Sequence, residues 1–180
     1  MSLQTTYLTV PAIGYEGTLQ GDADADIITL KNVEASASMP FGRAVAWKTS
    51  SPASDKDALL PASTSDKIAG IIVKSNAYER TWTDQDGTVH GSLDSTGIVT
   101  GELINVLRDG KIIVKCMTGC APADRLFVCS TAATTYTAVG QLGNADESSN
   151  TVDCTKQGQW LTTAAAGGLA WLDVDFTNKP

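Results

Sequence analysis

Short runs of β-branched and aromatic residues, separated by glycine and aspartate turn signals, recur along nearly the whole chain. In residues 169–176 the apolar Leu172, Val174 and Phe176 alternate with Trp171 and two aspartates. A period of two residues is typical of a strand with one buried face, and no segment carries a sustained helical stripe. We therefore predict an all-β fold, a β-barrel or jelly-roll-like sandwich, formed as a single domain over residues 1–180.

The same signals predict where the strands and their connections lie. Residues 50–66 have no periodicity and predict a surface loop, whereas residues 76–96 predict an inserted hairpin arm that projects from the body. The Asp109-Gly110 pair predicts a tight hairpin between the strands on either side of it. The predicted strands are Ile27–Val33, Arg43–Lys48, Ile68–Lys74, Gly97–Leu107, Lys111–Met117, Arg125–Cys129, Thr135–Val139, Gln159–Thr163 and Leu169–Phe176.

Charge and hydropathy narrow the classes of partner. The 180 residues carry a net charge of −7, and the basic residues are scattered, so a nucleic-acid partner is not expected. The longest apolar runs have strand length, which predicts no membrane span. Residues 1–20 lack a secretion signal, which indicates synthesis in a reducing cytoplasm, where the four cysteines would be free thiols.

Few residues are candidates for catalysis or metal binding. The single histidine, His90, lies in the predicted arm without a recognisable nucleophile, and no Gly-x-Ser-x-Gly motif occurs. The acidic run Asp22–Asp26 is either a solvated edge or a cation site, but Ile27 and Val33 replace the glycine and glutamate of a calcium loop. We expect no enzymatic activity, no cofactor and no metal.

The cysteines and two tryptophans are better explained as core residues. The spacing of Cys116, Cys120, Cys129 and Cys154 matches no zinc site, and Cys116 and Cys129 fall on apolar strands. For Trp47 and Trp160 we also favour burial. Trp171 points away from the core in the predicted last strand, and a short arm cannot by itself bury Tyr78 and Trp82, so these aromatics are candidate anchors for a protein partner.

Six motifs occur in order along the chain: Gly14–Gly17, Ala23-Asp24, Met39–Val45, Ile68–Val73, Val106–Val114 and Gln159–Ala170. Together they resemble the structural cement (capsid decoration) protein family of tailed bacteriophages. The more specific are Pro-Phe-Gly-Arg-Ala-Val and the closing Trp followed by Ala-Ala-Gly-Gly-Leu-Ala. The arm and residues 140–150 depart from the family pattern.

The resemblance implies a non-enzymatic module that binds the outside of an assembled head. Its partners would be the major capsid protein and other copies of itself, with a trimer favoured and a dimer possible. Its location would be the exterior of the virion. We predict capsid or subunit contacts at Tyr7, Tyr15, Tyr78, Trp82 and Trp171.

Two other classes of function stay open from the residues alone. A tail-fibre or adhesin-like β-domain would bind carbohydrate and ignore capsids. A small hydrolase would depend on His90 or on an acidic pair.

Overall fold

The computed structural model describes residues 14–21, 25–35, 39–49, 52–74, 82–83, 89–90 and 97–177. Within these residues the only helix is a single 3₁₀ turn, Ser148–Asn150, so the predicted all-β class is confirmed. The strands are β1 (Asp26–Asn32), β2 (Ala44–Lys48), β3 (Ser54–Leu59), β4 (Ile68–Ile72), β5 (Trp82–Thr83), β6 (Val89–His90), β7 (Leu103–Cys116), β8 (Phe127–Cys129), β9 (Leu142–Gly143), β10 (Thr151–Asp153), β11 (Gly158–Trp160) and β12 (Gly168–Asp175).

Five strands close into a barrel in the order β1-β3-β2-β4-β7, with β7 returning to β1. The β1–β3 pairing is parallel and the other four are antiparallel. Closure removes the free edges that an open sheet would expose. The barrel core consists of Leu30, Met39, Val45, Ala58, Ala69, Ile72, Ile98, Ile104 and Val106.

A second sheet grows from the distal half of β7, in the order β10-β8-β9-β7-β12-β11. Its core includes Trp160, which is fully buried and donates its indole N–H to the Arg125 carbonyl oxygen at 3.2 Å. Cys116, Cys120 and Cys154 belong to the same core. β7 therefore belongs to both units and connects them covalently.

The predicted hairpin at Asp109-Gly110 is wrong, because residues 103–116 form one continuous strand. Residues 103–109 pair with β1, and residues 109–116 pair with β12. Gly110 has a φ of 129° and lies opposite Val174, so its unusual backbone angle is accommodated within the ladder and forms no turn. Pairing on both halves of the strand outweighs the local turn preference of Asp-Gly.

Two further predictions are corrected. Residues 50–66 contain β3, whose Ala58 is buried in the barrel although its first four residues are polar. Residues 135–139 form a loop rather than a strand, and Tyr136 is buried there with its hydroxyl donating to the Ala145 carbonyl at 2.7 Å.

The alternation predicted for the last strand agrees with the structure. Ala170, Leu172, Val174 and Phe176 are buried while the residues between them are partly exposed, as the period of two predicted. In the segment predicted as an arm, β5 and β6 form an antiparallel ladder that pairs Trp82 with His90. The part of the chain that the structure describes has no helix with the length and apolar character needed to cross a membrane.

Candidate functional site

Two of the five predicted contact residues have described side chains. Tyr15 is 72% exposed, and Trp171 is partly exposed on the outward face of β12. The backbone of Trp82 lies in β5, but its side chain is outside the described part of the structure. Tyr7 and Tyr78 also lie outside the described residues.

Tyr15 projects from a tight turn that lies against β7. The turn closes with a hydrogen bond from Thr18 N to Tyr15 O at 3.1 Å, and Gly17 takes a φ of 81° that favours glycine. Gly17 N donates to Ile113 O at 2.8 Å, which fixes the turn to the second sheet. The Lys74 ammonium lies 4.5 Å from the centre of the Tyr15 ring, within range of a cation–π interaction.

Three of the motifs quoted above meet beneath this turn. Lys74 N donates to Gly17 O at 2.8 Å, and Gly42 N donates to Ile72 O at 2.8 Å. A Cβ atom at Gly17 would lie 2.9 Å from Phe41 Cβ, so the turn approaches the Pro-Phe-Gly segment too closely for any side chain. The motifs therefore build the support of Tyr15 rather than a reactive centre.

The charged groups of Glu16 and Arg43, both half-buried, interact electrostatically beside this turn. Burial raises the pKa of Glu16, while the charges of Arg43 and Lys115 and a hydrogen bond from the Lys115 backbone oppose the rise. Burial also lowers the pKa of Arg43, and the Glu16 carboxylate opposes that change. Arg43 Nη1 donates to the carbonyls of Ala138 and Val139 at 3.4 and 3.3 Å, so it joins the turn to the loop that follows β8.

Trp171 lies beside the same turn. It pairs across the ladder with Ile113, as Leu169 does with Lys115, and cross-strand partners share one face of a sheet. A side chain at Gly14 would collide with Cδ1 of Ile113, so the chain at Gly14 covers that isoleucine, which is 1% exposed. We call the surface formed by Tyr15, Lys74, Lys115, Leu169 and Trp171 the aromatic face.

The sequence did not predict Lys74 and Lys115 as members of this surface. Lys115 had a detectable signal, since it alternates with buried residues in β7 and lies on the outward side. Lys74 had none, because its contact with Tyr15 joins segments that are far apart in the chain. The outward face of β7 and β12 thus carries Trp171 and two lysines, Lys111 and Lys115, and towards its other end three aspartates, Asp109, Asp173 and Asp175.

The four thiols and the acidic run were the other groups considered for chemistry. The four cysteines are buried free thiols, as predicted for Cys116 and Cys129, and burial raises the pKa of Cys120 and of Cys154 to about 12. Asp26, in the acidic run, is 3.5 Å from Arg108 Nη1, and the rest of that run lies partly outside the described residues. Among the residues with described side chains, no three histidine, cysteine or carboxylate groups are close enough to hold a metal ion.

The small side chains and glycines of residues 164–168 suit either the close approach of another strand or subunit or an ordinary loop. Ala164 forms a β-bridge with Cys120, and Gly167 N donates to Cys116 O at 2.7 Å. The chain that packs closely against this loop is therefore the protein's own segment after β7.

Comparison with known proteins identifies relatives of this fold. Residues 3–175 match a family model described as "Structural cement protein (E217 gp24/Pam3 gp6)". A chain in the solved structure "The capsid of Myoviridae Phage XM1" is similar with a TM-score of 0.62 and 13% sequence identity, covering 97% of this chain and 98% of that chain. At this identity the likeness concerns the fold alone. No curated protein sequence matches.

Proposed function

Because this chain belongs to the phage structural cement protein family, we propose that it binds the outer surface of an assembled phage head and stabilises contacts between major capsid protein subunits. The observation that carries the proposal is the family match over residues 3–175, nearly the whole chain. The family is a structural one, and the module is proposed to act by binding and to have no enzymatic activity.

The surface charge supports a position on the exterior of the head. A net charge of −7 disfavours contact with packaged DNA, whose phosphates repel an acidic surface. Protein partners are a better match, since exposed aromatic side chains are favoured anchors at protein interfaces. We propose that the protein is made in the host cytoplasm and joins the virion from outside.

The proposed capsid or subunit contacts are the aromatic face, through Tyr15 and Trp171, together with the N-terminal segment bearing Tyr7 and the segment bearing Tyr78 and Trp82. The Tyr15 ring and the Lys74 ammonium offer an aromatic and a cationic group side by side. A capsid surface with apolar and acidic groups would be complementary to this pair.

Stabilisation would come from multivalent bridging. A homo-oligomer, a trimer in the favoured case and a dimer otherwise, would touch several capsid subunits at once, so each bound contact raises the effective concentration of the next. A ligand that binds only the assembled shell shifts the equilibrium away from disassembly. Modest single contacts would then produce slow dissociation and greater resistance to heat or internal pressure.

The direct test uses heads that lack this protein. Purified protein is added back, the heads are sedimented, and bound protein and the temperature of DNA release are measured with and without it. We expect saturable binding and a higher release temperature. Heads that bind none of the protein, or that release DNA at the same temperature in both samples, would contradict the proposal.

A single substitution tests the proposed contact at Trp82. If this side chain is an anchor, Trp82→Ala should weaken head binding by about 2 kcal/mol or more. The measurement is the affinity for heads in the same sedimentation assay.

A further inference from the structure

A groove separates the barrel from the second sheet. Its volume is about 1250 Å³, and it is bounded by the ends of β2 and β3, residues 64–68 and the β10 strand. Apolar side chains in its lining are Trp47, Ile68, Val152 and Phe176. Its charged side chains balance, since Lys48, Lys67 and Arg108 stand against Asp55, Asp66 and Asp153.

One wall of the groove is a strand edge. In the described residues β10 pairs with β8 alone. Ser130 N donates to Asn150 O at 2.8 Å and Cys154 N to Leu126 O at 2.9 Å, so residues 150, 152 and 154 direct their backbone groups to β8. The alternation of an antiparallel ladder then turns the N–H and C=O of Asp153 away from β8, and Asp153 lines the groove.

The opposite wall of the groove, formed by the start of β3, is also a strand edge. β3 pairs with β1 only at Asp57 and Ala58, so its first residues, Ser54 and Asp55, have no described strand on their β1 side. Both residues line the groove. Strand edges beside an apolar floor accept an extended chain, which bonds through its backbone and places alternate side chains on the floor.

We propose that this groove receives the N-terminal segment, residues 1–13, of a second copy of the chain. The inference rests on the homo-oligomer in the proposed function and identifies the part of each copy that holds its neighbour. Each copy would donate one segment and accept another.

The chemistry of residues 1–13 matches the groove. The segment has no charged side chain, which suits walls whose own charges balance. It is rich in strand-forming residues, and Leu8 and Val10 alternate with Tyr7 and Thr9, so an extended conformation would present Leu8 and Val10 to the apolar floor.

Residues 1–13 join the described structure at Gly14, on the face opposite the groove. This position favours docking in the groove of a neighbouring copy over docking in the chain's own groove. Gly14 lies against Ile113, on the face of β7 and β12 that carries Trp171. Phe176, in the groove, is buried in line with Leu172 and Val174 on the opposite face of that strand pair. Thirteen extended residues span at most about 45 Å, enough to cross a subunit boundary and add a strand.

Cysteine cross-linking between two full-length variants tests the proposal. Thr9→Cys protein is mixed with Asp55→Cys protein under mild oxidation, and disulfide-linked pairs are identified by intact mass. The control replaces Asp55→Cys with Ala132→Cys, an exposed residue outside the groove. We expect cross-linking to Asp55→Cys to be faster on the order of tenfold or more, because docking raises the effective concentration of the pair.

Two further results would overturn the proposal, besides equal rates in the two mixtures. One is a cross-link that forms within a single doubly substituted chain but not between mixed chains, which would assign the segment to its own groove. The other concerns Leu8→Asp, which should slow the cross-link about fivefold or more, since a charge is costly on an apolar floor. Ser2→Asp is the matched control, and equal rates for these two variants would also refute the docking geometry.

The outcomes are separable from those for the proposed function. Chains that bind heads but do not cross-link would remove the segment exchange and leave the capsid function standing. Chains that cross-link in solution but do not bind heads would support the segment exchange and contradict the capsid function.

Discussion

Replacing Tyr15 by alanine tests the aromatic face with little risk to the fold. The side chain is 72% exposed, and its described ring partner is the Lys74 ammonium at 4.5 Å. Loss of an exposed cation–π contact costs about 0.5–1 kcal/mol. We therefore expect the unfolding free energy of Tyr15→Ala to lie within about 1 kcal/mol of that of the unchanged protein.

The expected loss of head binding is larger and follows from the exposed area. A tyrosine side chain buries roughly 150–250 Å² when it is covered. With 72% of it free, about 110–180 Å² remains available, or about 2.8–4.5 kcal/mol at 25 cal/mol per Å². Side-chain ordering and incomplete contact reduce this gain, so we expect Tyr15→Ala to weaken each contact by about 2 kcal/mol, roughly a 30-fold loss of affinity.

The assay is a competition on heads that lack the protein, with labelled unchanged protein displaced by each variant. Tyr15→Phe keeps the ring and should compete almost as well as the unchanged protein. Val99→Ala is the second control, because Val99 is 41% exposed and belongs to the barrel side rather than to the aromatic face. Equal displacement by Tyr15→Ala and Val99→Ala would refute the proposal that the aromatic face contacts the head. This result would not by itself contradict the cement function.

Other predictions concern stability and reactivity. Gly70→Ala should lower the unfolding free energy by about 3 kcal/mol, and the melting temperature by about 6–12 °C, because Gly70 has a φ of 150° and a Cβ atom there would overlap the Leu107 carbonyl. Gly101→Ala, also at a positive φ but in open space, should cost only about 1–2 kcal/mol, and equal melting temperatures would contradict the steric cause. Burial raises the pKa of Glu16 in the folded state, so folding binds its proton more tightly and stability falls as pH rises through that pKa. Glu16→Gln removes this dependence. The denaturant midpoint of the variant minus that of the unchanged protein should therefore increase as pH rises from about 4 to about 7. A difference that stays constant over this range would contradict the raised pKa of Glu16. Burial raises the pKa of Cys154 to about 12, so iodoacetamide near neutral pH should label it only after unfolding, and rapid labelling of the folded protein would refute its burial.

Local patterns in the sequence determined the fold class and much of the core. The alternation at 169–176 predicted both the strand and its buried face, because neighbouring side chains in a strand must point to opposite sides. Cys116 and Cys129 were recognised as core residues because their neighbours are apolar. The sequence identified Tyr15 and Trp171 as contact candidates, but it did not predict that they lie close together.

Only the tertiary structure decided how these pieces combine. Asp109-Gly110 has the chemistry of a hairpin turn, yet β1 and β12 offer partners to both sides of it, and a 14-residue strand satisfies more backbone groups than a turn would. The largely polar residues 54–59 form a strand because β1 and β2 leave one place to fill in the barrel. The contact between Lys74 and Tyr15 also depends on tertiary packing, because it joins segments that are far apart in the chain. A local sequence pattern does not predict such a contact.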